Sequence, residues 1–166
     1  IVIKFDNEDS MQMVSMKNEH KDSEQLCLFQ GKDTVGGTVE VNIKPGKKID
    51  HTGIKIELIG QIEYLYDRGN PYEFTSLVRE LEGVGSLNES KSFPFAFANT
   101  EKQFETYSGN NVRLRYFVRV KIMRNYSTNI VQVRDFAVQN LQPVPEINNS
   151  IKMEVGIEDC LHIEFE

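Results

Sequence analysis

The sequence predicts an all-β protein, either a β-sandwich or a β-barrel, on the strength of three observations. Apolar residues recur at every second position in several runs, as expected of strands that bury one face. β-Branched and aromatic residues are abundant in these runs. Turn signals such as Pro45-Gly46 and Asn148-Asn149-Ser150 separate the runs. Many short strands between frequent turns are typical of a sandwich or barrel.

Six runs along the chain show this alternation, and each predicts a strand. Their alternating positions are, in chain order, Val35, Gly37, Val39, Val41 and Ile43; Ile54, Ile56, Leu58, Gly60 and Ile62; Phe93, Phe95 and Phe97; Val112, Leu114, Tyr116, Val118, Val120 and Ile122; Ile151, Met153 and Val155; and Leu161, Ile163 and Phe165. Residues 7–24 have no clear period, which predicts a long loop or an irregular edge strand.

One segment, residues 72–81, does not fit the alternating pattern. Its apolar residues Phe74, Leu77, Val78 and Leu81 fall at helical spacing. The segment is therefore predicted to be either a helix of two or three turns or a strand. The glycine motifs Gly36-Gly37 and Gly83-Val-Gly85 lack the fingerprint of a phosphate-binding loop, so we expect turns or bulges there.

Composition and charge exclude several classes of function. The 166 residues suit one domain, and 19 Lys and Arg against 25 Asp and Glu give a net charge of −6, which argues against a nucleic-acid-binding protein. No apolar run is long enough to span a membrane. Cys27 and Cys160 are far apart, and His20, His51 and His162 have no metal-ligand spacing. We expect reduced thiols, no metal, no cofactor and no catalytic site.

A basic row alternates with the apolar positions of the run at 112–122. Its members are Arg113, Arg115, Arg119 and Lys121, with Phe117 between them. Such a row could bind phosphoinositide head groups or RNA. Cross-strand ion pairs with acidic residues such as Glu57 and Glu63 explain it more simply, and we favour that interpretation.

Three glycosylation sequons, at Asn88, Asn125 and Asn148, raise an alternative of another class. They would suit a secreted or cell-surface adhesion module built on the same sandwich. Sequons of three residues also occur by chance.

Four blocks carry a resemblance to a known family. Residues 53–63, 66–70, 111–117 and 149–166 together resemble the vacuolar protein sorting 26 family, the arrestin-like subunit of retromer. The resemblance implies that residues 1–155 form an arrestin-like β-sandwich, that is, an immunoglobulin-like sandwich of two sheets, and that it is the N-terminal one of two. Residues 156–166 would then be the junction into a second sandwich that is absent from this chain.

The same resemblance implies a function and a set of partners. A family member is a non-catalytic scaffold in cargo sorting from endosomes to the Golgi or plasma membrane. It would be cytoplasmic and held peripherally on endosomal membranes through its complex. Its partners would be other retromer subunits, sorting nexin adaptors and cargo tails, but not nucleic acid. The α-solenoid subunit would dock mainly on the absent second sandwich.

The resemblance also implies two groups of site residues. Leu141 and Gly31 match positions of the family's groove for a sorting nexin adaptor. Gly31 stands where the family often has aspartate, and Lys32 follows it, so the local charge differs from the family pattern.

The second group is the interdomain junction. Gly156 separates two strand runs there, and three polar residues, Glu158, Asp159 and His162, would be covered by a second sandwich. Ile163 and Phe165 continue the alternation to the end of the printed sequence, so we expect this segment to pair with another strand.

Overall fold

The structure is a computed structural model that describes residues 1–17, 22–64, 69–98, 102 and 104–140, together with the backbone of 153–157 and 161–165. Nearly all ordered elements in these ranges are strands, apart from a 3-10 turn at Glu8–Ser10. The strands are β1 Val2–Phe5, β2 Met13–Lys17, β3 Ser23–Gln30, β4 Val35–Val41, β5 Ile49–His51, β6 Gly53–Tyr64, β7 Tyr72–Glu82, β8 Gly85–Leu87, β9 Lys91–Phe97, β10 Tyr107–Ser108, β11 Val112–Met123, β12 Ile130–Gln139, β13 Met153–Ile157 and β14 Leu161–Phe165. The all-β prediction is confirmed.

Two sheets make the sandwich. The larger sheet has the order β2-β3-β12-β11-β6-β7, with β10 also paired to β11. The smaller sheet has the order β1-β4-β9. Neighbouring strands are antiparallel except β3 and β12, which run parallel over three residue pairs. Two separate ladders, β5 with β8 and β13 with β14, complete the described pairing.

The core lies between the two sheets and draws on the alternating positions predicted from the sequence. In β11, Tyr116, Val118, Val120 and Ile122 are fully buried in one cluster with residues of β4 and β9, and Leu114 packs against that cluster. The even-numbered positions of β11 therefore face the core, as the alternation predicts.

Tyr116 joins this core to the segment before β10. Its hydroxyl donates a hydrogen bond to the carbonyl of Phe104 (2.6 Å) and accepts one from the Phe104 amide (3.3 Å). Its ring packs edge-on against Phe74, with centroids 5.4 Å apart. Burial raises the pKa of Tyr116 to about 12, although the Phe104 bond acts in the opposite direction.

Gly36 and Gly37 lie within β4, so the expectation of a turn or bulge at this pair is wrong. Gly37 is opposite Phe5 in the β1 pairing, and a Cβ on it would overlap the carbonyl of Lys4. The glycine serves a close approach of two strands rather than a change of chain direction.

Residues 72–82 form strand β7, so the helical alternative for 72–81 is wrong. β7 pairs with β6, and the register shifts twice, leaving Phe74 and Leu81 as extra residues. Each bulge changes which face the following residue takes. Phe74, Leu77 and Leu81 therefore all pack against the core although their spacing is three and four. Val78, the fourth apolar residue of the pattern, is 48% exposed.

Candidate functional sites

Gly31 begins the loop between β3 and β4, where it meets two other segments. Its carbonyl accepts a hydrogen bond from the Lys102 amide (2.9 Å). A Cβ on Gly31 would overlap Oδ1 of Asn140, the residue that follows β12. Leu141, the other residue of the predicted adaptor groove, lies outside the described residues. The structure thus places Gly31 beside the residue that precedes Leu141.

The side chain of Lys102 fixes the loop between β3 and β4. Its buried Nζ donates to the Asp33 carbonyl (2.6 Å), and burial lowers its pKa while the Asp33 carboxylate opposes that shift. Asp33 in turn accepts a bond from the Gln30 amide (2.8 Å). The loop is therefore a closed turn fixed to a buried cation.

Asn140 is bonded into the same arrangement, which we name the Gly31 patch: residues 31–33, 102, 105 and 140. Its amide donates to Glu105 Oε1 (2.9 Å), and its Nδ2 donates to the Lys102 carbonyl (3.4 Å). Lys102, Glu105 and Asn140 could not be identified from the sequence, because isolated polar residues in irregular segments carry no periodic signal.

The basic row lies on the face of β11 turned away from the core, where its members form cross-strand ion pairs. Arg113 is directly opposite Glu63 in β6, with Nη1 3.7 Å from Oε2. Arg119 is directly opposite Glu57 and donates from Nε to Oε2 (2.6 Å). The pairs expected with Glu57 and Glu63 are present. Lys121 Nζ lies 3.9 Å from Glu57, at the outer limit of such a contact.

Glu57 is the acidic centre of this face, and its side chain is only 9% exposed. Burial raises its pKa, but the Arg119 hydrogen bond and the charges of Arg119 and Lys121 outweigh burial, so the pKa is lowered overall. Lys55 Nζ also lies 3.3 Å from Glu57. The row is thus a network of largely buried pairs rather than a set of solvated cations.

Asp135 of β12 completes the network, although the sequence alone did not indicate it. Arg115 donates from Nε to Asp135 Oδ2 (3.0 Å), and its Nη1 donates to Glu63 (3.4 Å). Phe117 is buried, with the Arg115 guanidinium 4.4 Å from its ring centroid. The parity of β12 suggests an outward Asp135, but only the register between β11 and β12, in which Asp135 is opposite Phe117, brings it within reach of Arg115 two residues earlier.

The predicted junction forms a hairpin. β13 pairs antiparallel with β14, with Gly156 opposite His162 and Val155 opposite Ile163. Phe165 is opposite Met153. Glu158 and Asp159 lie outside the described residues. The proposed boundary between residues 155 and 156 falls inside β13.

Cys27 is buried, and burial raises the pKa of its thiol. In the part of the chain that the structure describes, no group of three or more His, Cys, Asp or Glu side chains could hold a metal ion. None of the described segments forms a helix that could cross a bilayer.

Comparison with known proteins finds one family over the whole chain. The family model described as Vacuolar protein sorting-associated protein 26 matches residues 1–166. Vacuolar protein sorting-associated protein 26 of Dictyostelium discoideum is 53% identical over all of this chain and 48% of its own length. Protein 26B of Arabidopsis thaliana is 50% identical over all of this chain and 55% of its own length. The Plasmodium falciparum protein is 51% identical over all of this chain and 56% of its own length.

The chain thus spans about half the length of the curated relatives it matches, and it corresponds to their N-terminal half. None of these relatives is named as an adhesion protein, so the adhesion alternative is not retained.

Among solved structures, the chain is similar to the sporulation control protein Spo0M of Bacillus subtilis. The TM-score is 0.50 and the identity 13%, over 79% of this chain and 49% of the Spo0M chain. At this identity the likeness concerns the fold alone. The fold is the arrestin-like β-sandwich that the resemblance implied.

Proposed function

Because this chain belongs to the Vacuolar protein sorting-associated protein 26 family, we propose that it is the N-terminal sandwich of a retromer scaffold subunit that sorts cargo from endosomes. It acts by binding other proteins and has no catalytic role. It works on the cytosolic face of endosomal membranes, to which its complex attaches it. Its partners are the other retromer subunits, sorting nexin adaptors and cargo tails.

The observation that carries this proposal is the identity of about half of all residues over the entire chain to proteins named for vacuolar sorting. The arrestin-like fold alone would not support it, because one fold serves many functions. The matches extend over the entire chain, so the relationship does not rest on one motif or one strand.

A chimera tests the sorting function directly. This chain replaces the N-terminal half of the Dictyostelium relative, and the chimera is expressed in cells that lack that relative. We expect endosomal retrieval of a sorting receptor to be restored. A chimera that also carries Val118→Asp is the matched control, since its first sandwich cannot fold. A folded chimera that assembles with its partners but restores no retrieval would contradict the proposal.

Within this function, we assign the adaptor contact to the Gly31 patch. Three features support the assignment: Gly31 lies beside Asn140, Leu141 follows directly in sequence, and Lys102 fixes the loop. A preformed loop loses little conformational entropy when a partner binds. We likewise propose that residues 156–166 form the junction to a second sandwich.

The adaptor assignment is tested by restoring the acidic side chain that the family often has at this position. Gly31→Asp adds a carboxylate beside Lys32, and we expect it to bind a sorting nexin adaptor several-fold more tightly than the parent, as measured by calorimetry. Gly31→Ala is the matched control, because it overlaps Asn140 in the same way without adding charge. An equal effect of both variants would show that displacement of Asn140, and not the carboxylate, changes binding.

A further inference from the structure

An open cleft lies at the opposite end of the sandwich from the Gly31 patch. β11 and β12 are antiparallel, so Arg124, which follows β11, and Asn140, which follows β12, are at opposite ends of the pair. At the Arg124 end, three segments meet: residues 48–52, 84–86 and 124–127. They enclose a cleft of about 580 Å³. Neither the proposed sorting function nor the basic row uses it.

His51 lines this cleft and is only 3% exposed. Neither of its ring nitrogens has a hydrogen-bond partner among the described residues, although Nε2 lies 3.3 Å from Glu82 Oε2. The other oxygen of Glu82 accepts a bond from Lys91 Nζ (2.6 Å), which offsets its charge. A buried polar ring without hydrogen bonds is unfavourable, and such groups are commonly completed by a ligand or water.

Cations dominate the loops around the cleft. Lys48 and Arg124 line it from two different loops, and Lys44 and Lys47 are exposed on the Lys48 loop. Asp50 is the acidic residue of the described lining, and it is already engaged by the Ser86 hydroxyl and by Lys48 at 3.5 Å. In a chain with a net charge of −6, this local excess of positive charge favours an anionic ligand.

Arg124 is held in a fixed position beside the cleft. Its Nε and Nη2 atoms donate to the Thr128 carbonyl at 2.9 and 2.7 Å, within the loop between β11 and β12. A guanidinium fixed in this way loses little freedom when it binds an oxyanion, and its planar nitrogens match phosphate geometry. Ser127 adds a hydroxyl to the same lining.

Two apolar side chains stand in solvent at the rim. Tyr126 is 100% exposed and Val84 82% exposed, and both belong to loops that line the cleft. They can contact the organic part of a ligand whose anionic group is bound inside, whether that part is a lipid or a soluble molecule.

We propose that this cleft binds a phosphate monoester group, with Lys48 and Arg124 compensating its charge and the ring of His51 supplying a hydrogen bond. Inositol phospholipids and soluble phosphate esters both carry such a group. Binding of soluble phosphate and retention on vesicles distinguish these two sources.

The first test measures binding of soluble phosphate to the 166-residue chain. Inorganic phosphate is added at constant ionic strength, against chloride, and the melting temperature and calorimetric affinity are recorded. We expect phosphate to raise the melting temperature, and Lys48→Gln with Arg124→Gln to weaken binding about tenfold or more, since each lost charge-assisted bond costs affinity. Lys17→Gln with Lys32→Gln is the matched control, because it removes the same charge at exposed positions outside the cleft.

The second test measures retention of the chain on vesicles. We expect vesicles with phosphatidylinositol monophosphate to retain the chain more than vesicles with phosphatidylserine, which has no phosphate monoester. Retention on these vesicles that Tyr126→Ser abolishes, with soluble binding intact, assigns the group to a lipid. Binding of soluble phosphate alone assigns it to a soluble ester.

His51→Gln separates the role of the ring from that of the cations. We expect it to weaken phosphate binding while the melting temperature without phosphate changes little, because the ring nitrogens of His51 have no hydrogen-bond partner among the described residues for the substitution to remove. Three results would overturn the proposal: no response of the parent to phosphate in either test, equal weakening in the Lys17 and Lys32 control, or retention on vesicles that is as strong with phosphatidylserine as with phosphatidylinositol monophosphate.

Discussion

At the scale of single residues, Val118 is the most stringent test of the core. It is fully buried in the middle of β11, between β6 and β12. Val118→Asp places a carboxylate there without a partner, and we expect a loss of at least about 4 kcal/mol in the free energy of unfolding. Val131→Asp is the control, since that valine is half exposed opposite Lys121. A melting temperature of Val118→Asp within a degree or two of the parent would refute the assignment of the core face.

Arg119 tests the ion-pair network. The sequence alone predicts exposed pairs, whose reversal would change stability by only about 0 to 1 kcal/mol. The structure instead buries Glu57, so Arg119→Glu sets two like charges together in a largely buried place. We expect a loss of about 3 kcal/mol in denaturant unfolding. Lys4→Glu is the control, because its partner Glu40 and Lys4 itself are much more exposed. Equal effects of the two reversals would contradict this account of burial.

The raised pKa of Tyr116 predicts how the stability of the folded chain changes at alkaline pH. Its pKa is raised in the folded chain, so above the ordinary value of 10.0 the unfolded chain loses the proton first and is stabilised. Stability is therefore lost as the pH rises from 10.0 to about 12. Tyr116→Phe lacks this loss but forfeits about 1 kcal/mol at neutral pH with the Phe104 bond. The advantage of the parent over the variant in unfolding free energy should therefore shrink and then reverse across this range, and a constant difference would refute the assignment.

At the scale of elements, substitutions in β7 distinguish the observed strand from the helix that the spacing of its apolar residues suggests. A helix would bury Leu77 and Val78 together, whereas the strand places them on opposite faces. We expect Leu77→Ala to cost about 2 kcal/mol and Val78→Ala less than about 0.5 kcal/mol in chemical unfolding. Similar losses at both positions would favour the helical arrangement.

The elements also explain what the sequence could and could not predict. β11 was predicted well, because its alternation is unbroken and both faces carry a consistent chemistry. β7 was not, because two bulges turn a period of two into spacings of three and four. Asp135 and the His51 cleft were missed for another reason: they depend on which distant segments become neighbours, and strand register between such segments leaves no trace in local periodicity.

At the scale of the whole molecule, the paired strands β13 and β14 carry the junction that we propose to lead into a second sandwich. The cross-strand pairs Met153 with Phe165 and Val155 with Ile163 are all apolar. An isolated pair of strands is at best marginally stable in water. We therefore expect β13 and β14 to bind a further strand or surface, including that of a second copy of the chain. We expect Ile163→Thr with Phe165→Thr to lower self-association of the chain in sedimentation velocity. Lys152→Thr with Glu164→Thr is the control, and self-association unchanged by the apolar pair would remove this role.

The parallel pairing of β3 with β12 affects how the protein folds during its synthesis on the ribosome. β3 is translated early, but its partner follows roughly 110 residues later in the chain. At about 5 to 20 residues per second, a ribosome needs about 5 to 20 seconds to supply that partner. During this interval the edge of β3 away from β2 is unpaired and open to other nascent chains or to chaperones. The pair β2–β3 therefore joins the rest of the large sheet late, after β12 has been synthesised. The rate of translation between β3 and β12 determines how long this edge of β3 stays unpaired.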